Sequence, residues 1–241
     1  MKERKLNMTK IFIWKSYGDI EVYDISTIEK YIELRNTGSL MKLDYLEPED
    51  DSEEPDDLDD FDPMSGVGVI NIEGALTYKP IMTMCGAVGY SYCELIEDVD
   101  EMIEAGATTI VLNVDSGGGQ AYGCFETANQ IRKMCDDNGV SLICYVDGSC
   151  CSAMYALGVV CDEVVANPDS EVGSVGVLIS LMNNAEQLKK EGIQRSFIYA
   201  GDEKVPMDNE GAWKENFLAS LQDGVNYLYK QFVSHVSMYS G

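Results

Sequence analysis

From Gly66 onward, short β-branched runs alternate with segments of helical period. VGVINI (67–72), TIVLNV (109–114) and SLICYVD (141–147) are apolar almost throughout, the pattern of strands covered on both faces. Helical segments are expected near 92–105 and 121–136, between them. Further strands are expected at DEVVAN (162–167), VGVLIS (175–180) and RSFIYA (195–200), with helical segments near 153–160 and 183–191. Strands joined by crossover helices predict a largely parallel α/β sheet. Towards the end, Trp213, Phe217, Leu221, Val225, Leu228, Phe232 and Val236 recur at steps of three and four, one apolar stripe of a long helix. The stripe can dock on its own domain or on another subunit.

The first 65 residues follow a different pattern. KIFIWKSYGDIEVYDIS reads as two short strands about a Tyr-Gly-Asp turn, and STIEKYIELRNTG as a capped helix closed by Gly38. A small α+β appendage over residues 1–46 is therefore expected. EPEDDSEEPDDLDDFDP has little to bury and repels itself, so 47–63 is expected to be an extended acidic linker. A main domain over 64–241 follows.

Composition narrows the function. The 241 residues carry 42 acids against 17 bases, a formal net charge of −25. A surface that negative repels phosphate backbones and anionic membranes, so nucleic acid is a poor candidate partner. The charge is uneven: 11 of the acids lie between Glu47 and Asp62, and 8 of the bases precede position 43. No apolar run approaches the roughly 20 residues of a membrane span, and the start has neither a hydrophobic leader core nor a small-residue cleavage site. An intracellular setting without a membrane anchor is expected. The eight cysteines form no CxxC pair and have no histidine cluster nearby, so neither a metal site nor a disulfide framework is expected. They read as small core residues with free thiols.

Four segments could carry chemistry. The single histidine, His235, lies far from all of them near the end of the last helix and reads as a helix-surface residue. In a metal-free hydrolase the general base would then be another group, most readily a desolvated lysine. VDSGGGQ (114–120) leaves an apolar strand; its glycines suit either a tight strand-to-helix turn or an oxyanion hole, and the spacing matches neither phosphate-binding fingerprint. In YVDGSCCSAMYALG (145–158) a strand ends at Asp147 and tiny residues lead into a helix near Ser152. A serine there serves as an N-cap or, beside helix N–H groups, as a nucleophile. It lacks the GxSxG elbow of the α/β-hydrolases. EVGSVGVLIS places Ser174 between glycines at the start of a strand, and YAGDEKVPMD places Lys204 in a loop.

In this order the four segments resemble the signal peptide peptidase A family of serine proteases, particularly its phage capsid-assembly branch. DSGGG stands for the family's glycine turn, CCSAMYALG for its nucleophile turn, GSVGV for its Gly-Ser segment and AGDEKV for its basic-residue loop. GVINIEGAL and the YVDG strand end are also similar to that branch, and the likeness covers about residues 66–240. Two positions depart from the pattern: Gly117 replaces the usual proline, and Cys150 and Cys151 precede the nucleophile.

The resemblance implies a Clp-protease/crotonase-like fold and a Ser/Lys dyad without cofactor or metal. Ser152 would be the nucleophile, Lys204 its general base and Ser174 a hydroxyl orienting the amine. The N–H groups of Gly119 and Ala153 would form the oxyanion hole. It also implies a homo-oligomeric ring acting on scaffold, capsid or portal proteins, in host cytoplasm or inside a phage prohead. A peptide-clearing protease of the bacterial cytoplasm or membrane, an inactive assembly module and a crotonase-type acyl-CoA enzyme are the alternatives. Family members usually continue past a helix like 213–238 with a further helix–strand segment, which leaves open whether Gly241 is a native end or a processing site.

Overall fold

The computed structural model describes residues 61–83, 86–87, 89–201 and 204–239. The expected appendage over 1–46 and most of the acidic linker lie outside the described residues. The last part of that linker does not stay free: Phe61–Asp62 forms strand β1 and pairs antiparallel with Val67 and Gly68. From there the chain divides into two compact units, one running to Ser174 and regaining His235–Gly241, the other spanning Val175–Ser234.

The first unit is a seven-stranded, mainly parallel sheet with helices. Its strands are β1, β2 (Val67–Thr77), β5 (Tyr90–Ser91), β6 (Thr109–Gly119), β7 (Ser141–Cys151), β8 (Glu163–Ala166) and β9 (Glu171–Gly173). The order is β1-β2-β6-β7-β8, with β5 beside β2 and β9 beside β7. A separate small hairpin pairs β3 (Met82–Thr83) with β4 (Gly86–Ala87). All pairings of the main sheet except β1–β2 are parallel. The α/β parallel-sheet class expected from the alternation is the class observed.

Strand periodicity explains where the core sits. Ile70, Ile72, Ile110, Leu112, Val114, Leu142, Cys144 and Val146 alternate onto one face and are at most 2% exposed. Helix α1 (Tyr92–Glu104) packs on this face, its Met102 thioether lying against Gly68 of β2. Ser91 starts that helix with a reciprocal capping box: the Glu94 N–H donates to Ser91 Oγ (3.2 Å) and the Ser91 N–H to Glu94 Oε2 (2.8 Å). Helix α2 (Cys124–Asn138) buries Cys124, Ala128, Ile131 and Cys135, and α3 (Ala153–Gly158) is buried throughout. Each large aliphatic side chain removed from water here contributes roughly 1.5–3 kcal/mol.

Two strands outrun their expected ends. β6 does not turn at Val114 but continues through the glycine run, and β7 continues past Asp147 to Cys151. Neighbouring strands supply the hydrogen-bonding partners that glycine's own preference would forgo: Gly118 and Gly119 are in register with Ala75 and Leu76 of β2, and Ser116 with Cys150. The ladders shift register between Glu73 and Ala75 and between Val114 and Ser116, bulges of the kind that re-aim chain ends at sites.

The second unit holds α4 (Ala185–Lys190) and most of α5 (Glu215–Tyr239), whose final residues from His235 belong to the first unit. The stripe is present: Phe217, Leu221, Val225 and Leu228 are half-buried and Phe232 is buried, while most intervening residues are exposed. Trp213 precedes the helix, bridging antiparallel to Met207 and stacking on Phe217 with centroids 5.8 Å apart. The strands expected at 175–180 and 195–200 are absent; the chain there is irregular, with Leu178, Ile179 and Ile198 exposed. A β-branched run becomes a strand only when a partner takes its backbone groups, and no described segment pairs with either run. Among the described residues no helix is long and apolar enough to cross a membrane.

Candidate active site

Ser152 stands where β7 gives way to α3. Its backbone, at φ 54° and ψ −121°, is a conformation that L-residues rarely adopt, and its side chain makes no capping hydrogen bond. The N-cap role open to it from sequence is thus not the one it plays. The Ser152 N–H donates to the Gly173 carbonyl (2.8 Å) and its own carbonyl accepts from the Ala156 N–H (3.1 Å). The residue is therefore tied to β9 on one side and to α3 on the other.

Ser174 follows Gly173 directly and is the second non-glycine residue with positive φ, at 55°. Among the described residues, Ser152 and Ser174 are the only two non-glycine residues with positive φ. Strain of this kind costs on the order of 1–3 kcal/mol and persists where surrounding structure over-determines it. β7–β9 pairing, with Cys151 opposite Gly173, brings the two serine segments side by side. Ser174 is exposed and follows a strand rather than beginning one.

The glycine run closes the third side. A methyl group at Gly118, whose φ is +100°, would lie 2.7 Å from Ser152 Cβ, 2.7 Å from the Cys151 carbonyl oxygen and 2.9 Å from Ala153 N. Only a bare backbone fits there. Gly119, the expected oxyanion donor, is the next residue and stands against Leu76 of β2. The glycine run continues β6 rather than turning, and its contact with Ser152 is made by Gly118. Replacing Gly118 by Ala should cost about 2–4 kcal/mol through unfavourable φ and overlap. It should also push Ala153 N out of place. Denaturant midpoints and the rate of Ser152 labelling by a fluorophosphonate, measured on the same preparation, check both effects.

Two side chains that the sequence analysis did not single out hold this corner. Ser116 Oγ donates to the Gly74 carbonyl (2.6 Å) and accepts from the Gly118 N–H (3.2 Å), pinning the glycine run from within. Asp115 Oδ1 accepts from the Ser149 N–H (2.8 Å), fixing β7 just before its turn. A short polar pair preceding three glycines is the available signal, because such residues bond nearby backbone where the ladder breaks.

The cysteines beside Ser152 are poor rivals for nucleophile. Cys150 is fully buried, and its hydrogen bond with Cys144, reinforced by burial, pushes its thiol up. Burial, with the Glu171 carboxylate nearby, also raises Cys151, whose Sγ–H donates to the Glu171 carbonyl (3.6 Å). Attack by sulfur requires the thiolate, which both settings disfavour. Among the described residues Cys93, Cys124, Cys135, Cys144, Cys150, Cys151 and Cys161 are free thiols. Burial pushes Cys124 up to about 11, leaving a neutral donor to the Ala153 carbonyl (3.3 Å).

Lys204 belongs to the second unit. Its side chain is exposed, its N–H donates to the Gly201 carbonyl (3.1 Å), and Val205 and Met207 beside it are buried. The same unit has a cleft of about 400 Å³ whose wall includes Ile193, Arg195, Phe197 and Met207.

His235 is not the surface residue expected. It is 6% exposed, its Nε2 lies 2.9 Å from the Ala156 carbonyl oxygen, and its ring packs against Phe125 and Tyr239. Burial holds its imidazole below the ordinary value, partly offset by the bond to Ala156.

Comparison with known proteins bears out the resemblance. The profile of Peptidase family S49 matches residues 135–240. Head-tail preconnector protein GP5 of Enterobacteria phage P21 is 27% identical over 183 residues, covering 74% of this chain and 35% of that protein. Capsid assembly protease C of Escherichia phage lambda is 24% identical over 195 residues, covering 79% and 43%. The chain thus spans less than half the length of these relatives. Among solved structures, a mutant 1510-N membrane-bound stomatin-specific protease with a bound substrate peptide matches at 18% identity and a TM-score of 0.37, over 49% of this chain and 48% of that one.

Proposed function

We propose, from this similarity to Peptidase family S49, that the chain carries a serine endopeptidase acting through a Ser152/Lys204 dyad. The observation that supports it most is the backbone at Ser152 and Ser174: among the described residues, positive φ outside glycine occurs only at the two serines to which the four motifs assign roles. Ser152 Oγ attacks the scissile carbonyl carbon as its proton passes to the Lys204 amine, which must be neutral to accept it. The carbonyl oxygen becomes an oxyanion held by backbone N–H groups of the Ala153 and Gly119 region. Collapse expels the leaving amine, which takes the proton from Lys204, and water hydrolyses the acyl-serine by the same groups. Ser174 orients the lysine amine. None of these steps uses a cofactor or metal.

The phage relatives direct the substrate proposal. One is named a capsid assembly protease and another a head-tail preconnector protein, so scaffold, capsid or portal proteins in the host cytoplasm or prohead are the proposed substrates. A homo-oligomeric ring is the proposed assembly. Incubating the purified chain with denatured capsid and scaffold proteins tests this, with a fluorophosphonate probe run in parallel. Cleavage with the probe mapped to Ser152 supports it; cleavage with the label elsewhere, or none with either protein, overturns it.

A further inference from the structure

We propose that His235 is a positioning residue for the Ser152 turn: its Nε2–H holds the Ala156 carbonyl and thereby fixes α3, the helix that begins one residue after Ser152. A carbonyl oxygen only accepts hydrogen bonds, so the 2.9 Å contact requires the proton on Nε2. The bond joins residues 79 apart in sequence. Ala156 also donates its N–H to the Ser152 carbonyl, so two bonds through one residue link the imidazole to the strained serine peptide.

The need for such a clamp follows from the length of α3. Six residues cannot sustain a helix in isolation, and the carbonyls of a helix's last turn lack partners within it. Here they are met one by one. The Tyr155 carbonyl accepts from the Val159 N–H (3.0 Å), Ala156 from His235, Leu157 from Cys161 Sγ (3.7 Å), and Gly158 from the Cys161 N–H (3.1 Å). Just beyond, the Val160 carbonyl accepts from Arg132 Nη1 (3.3 Å). Of these donors, only His235 comes from the last turn of α5, which is itself anchored by Tyr239 OH donating to Asn129 Oδ1 (2.8 Å). The imidazole is wedged between the Phe125 and Tyr239 rings, with centroids 5.2 and 5.1 Å away, and has little room to leave the carbonyl. Ser152 keeps its unfavourable φ only while both of its sides are held. Loosening α3 should therefore displace the nucleophile without touching substrate.

The inference rests on Ser152 being the nucleophile, and its test separates the two. In the full chain, His235→Phe keeps an aromatic ring between Phe125 and Tyr239 but removes the donor; His235→Gln restores an N–H near the former Nε2. On a peptide substrate, well below the melting temperature, His235→Phe should lower kcat by about 10- to 100-fold, the scale of a misplaced nucleophile, with little change in KM. His235→Gln should recover most of that loss. Hydrogen exchange of the Ala153–Gly158 amides should accelerate in the phenylalanine variant and not in the glutamine variant. If His235→Phe does not fold, His235→Met takes its place. A folded donor-less variant with wild-type kcat and unchanged α3 exchange overturns the positioning role even if Ser152→Ala is dead. Accelerated α3 exchange in a chain whose wild type cleaves nothing would sustain the clamp and overturn the peptidase reading.

Discussion

Ser152→Ala should abolish peptide cleavage, by about 10⁴-fold or more, while leaving the protein as stable as the parent to within about 0.5 kcal/mol. Loss of a nucleophile usually carries the suspicion of a damaged fold, and at a helix start it would ordinarily remove a cap. Here the serine makes no capping bond, and its Cβ stays in place in alanine. Ser152→Gly sharpens the test. Removing the Cβ at φ 54° relieves strain of roughly 1–3 kcal/mol, against a glycine entropy cost of about 0.5–1 kcal/mol. The glycine variant should therefore be inactive and as stable as the parent or up to about 2.5 kcal/mol more stable. Thermal denaturation and peptide hydrolysis on both variants decide it. Retained turnover in the alanine variant would move the nucleophile to Ser149 or Cys151.

Lys204→Arg should be as damaging as Lys204→Ala, each lowering kcat by about 10²- to 10⁴-fold. A guanidinium remains protonated at any working pH and cannot accept the Ser152 proton, so conserving the charge rescues nothing. Lys204 is exposed while Val205 and Met207 beside it are buried. Bound substrate or a neighbouring subunit closing over this apolar flank would supply the desolvation that the base needs. Paired assays of the two variants check the assignment, and near-parental activity in the arginine variant would sink it.

Much of the first unit was legible along the chain because its signals are local and repeated. Near-continuous β-branched runs at 67–72, 109–114 and 141–147 admit few solutions other than covered parallel strands, and Leu95, Val99 and Met102 mark one face of the helix between the first two. The glycine run and the Ser152 turn were legible for the same reason: tiny residues after a strand mark close backbone approach. Packing decided the rest. Glycines favour a turn in isolation, yet β6 runs through Gly119 because β2 lies alongside to pair with it. The apolar runs at 175–180 and 195–200 carry the same local signal as the core strands, but a strand needs a neighbour, and none of the described segments supplies one. Helical periodicity could put His235 on a helix; only the arrival of Ala156 from 79 residues away could turn that position inward and give its proton a partner. The positive φ of Ser152 is likewise invisible in sequence, since no L-residue prefers it. It exists because β9 and α3 hold the serine from opposite sides, and two-sided restraint is a property of the folded chain alone.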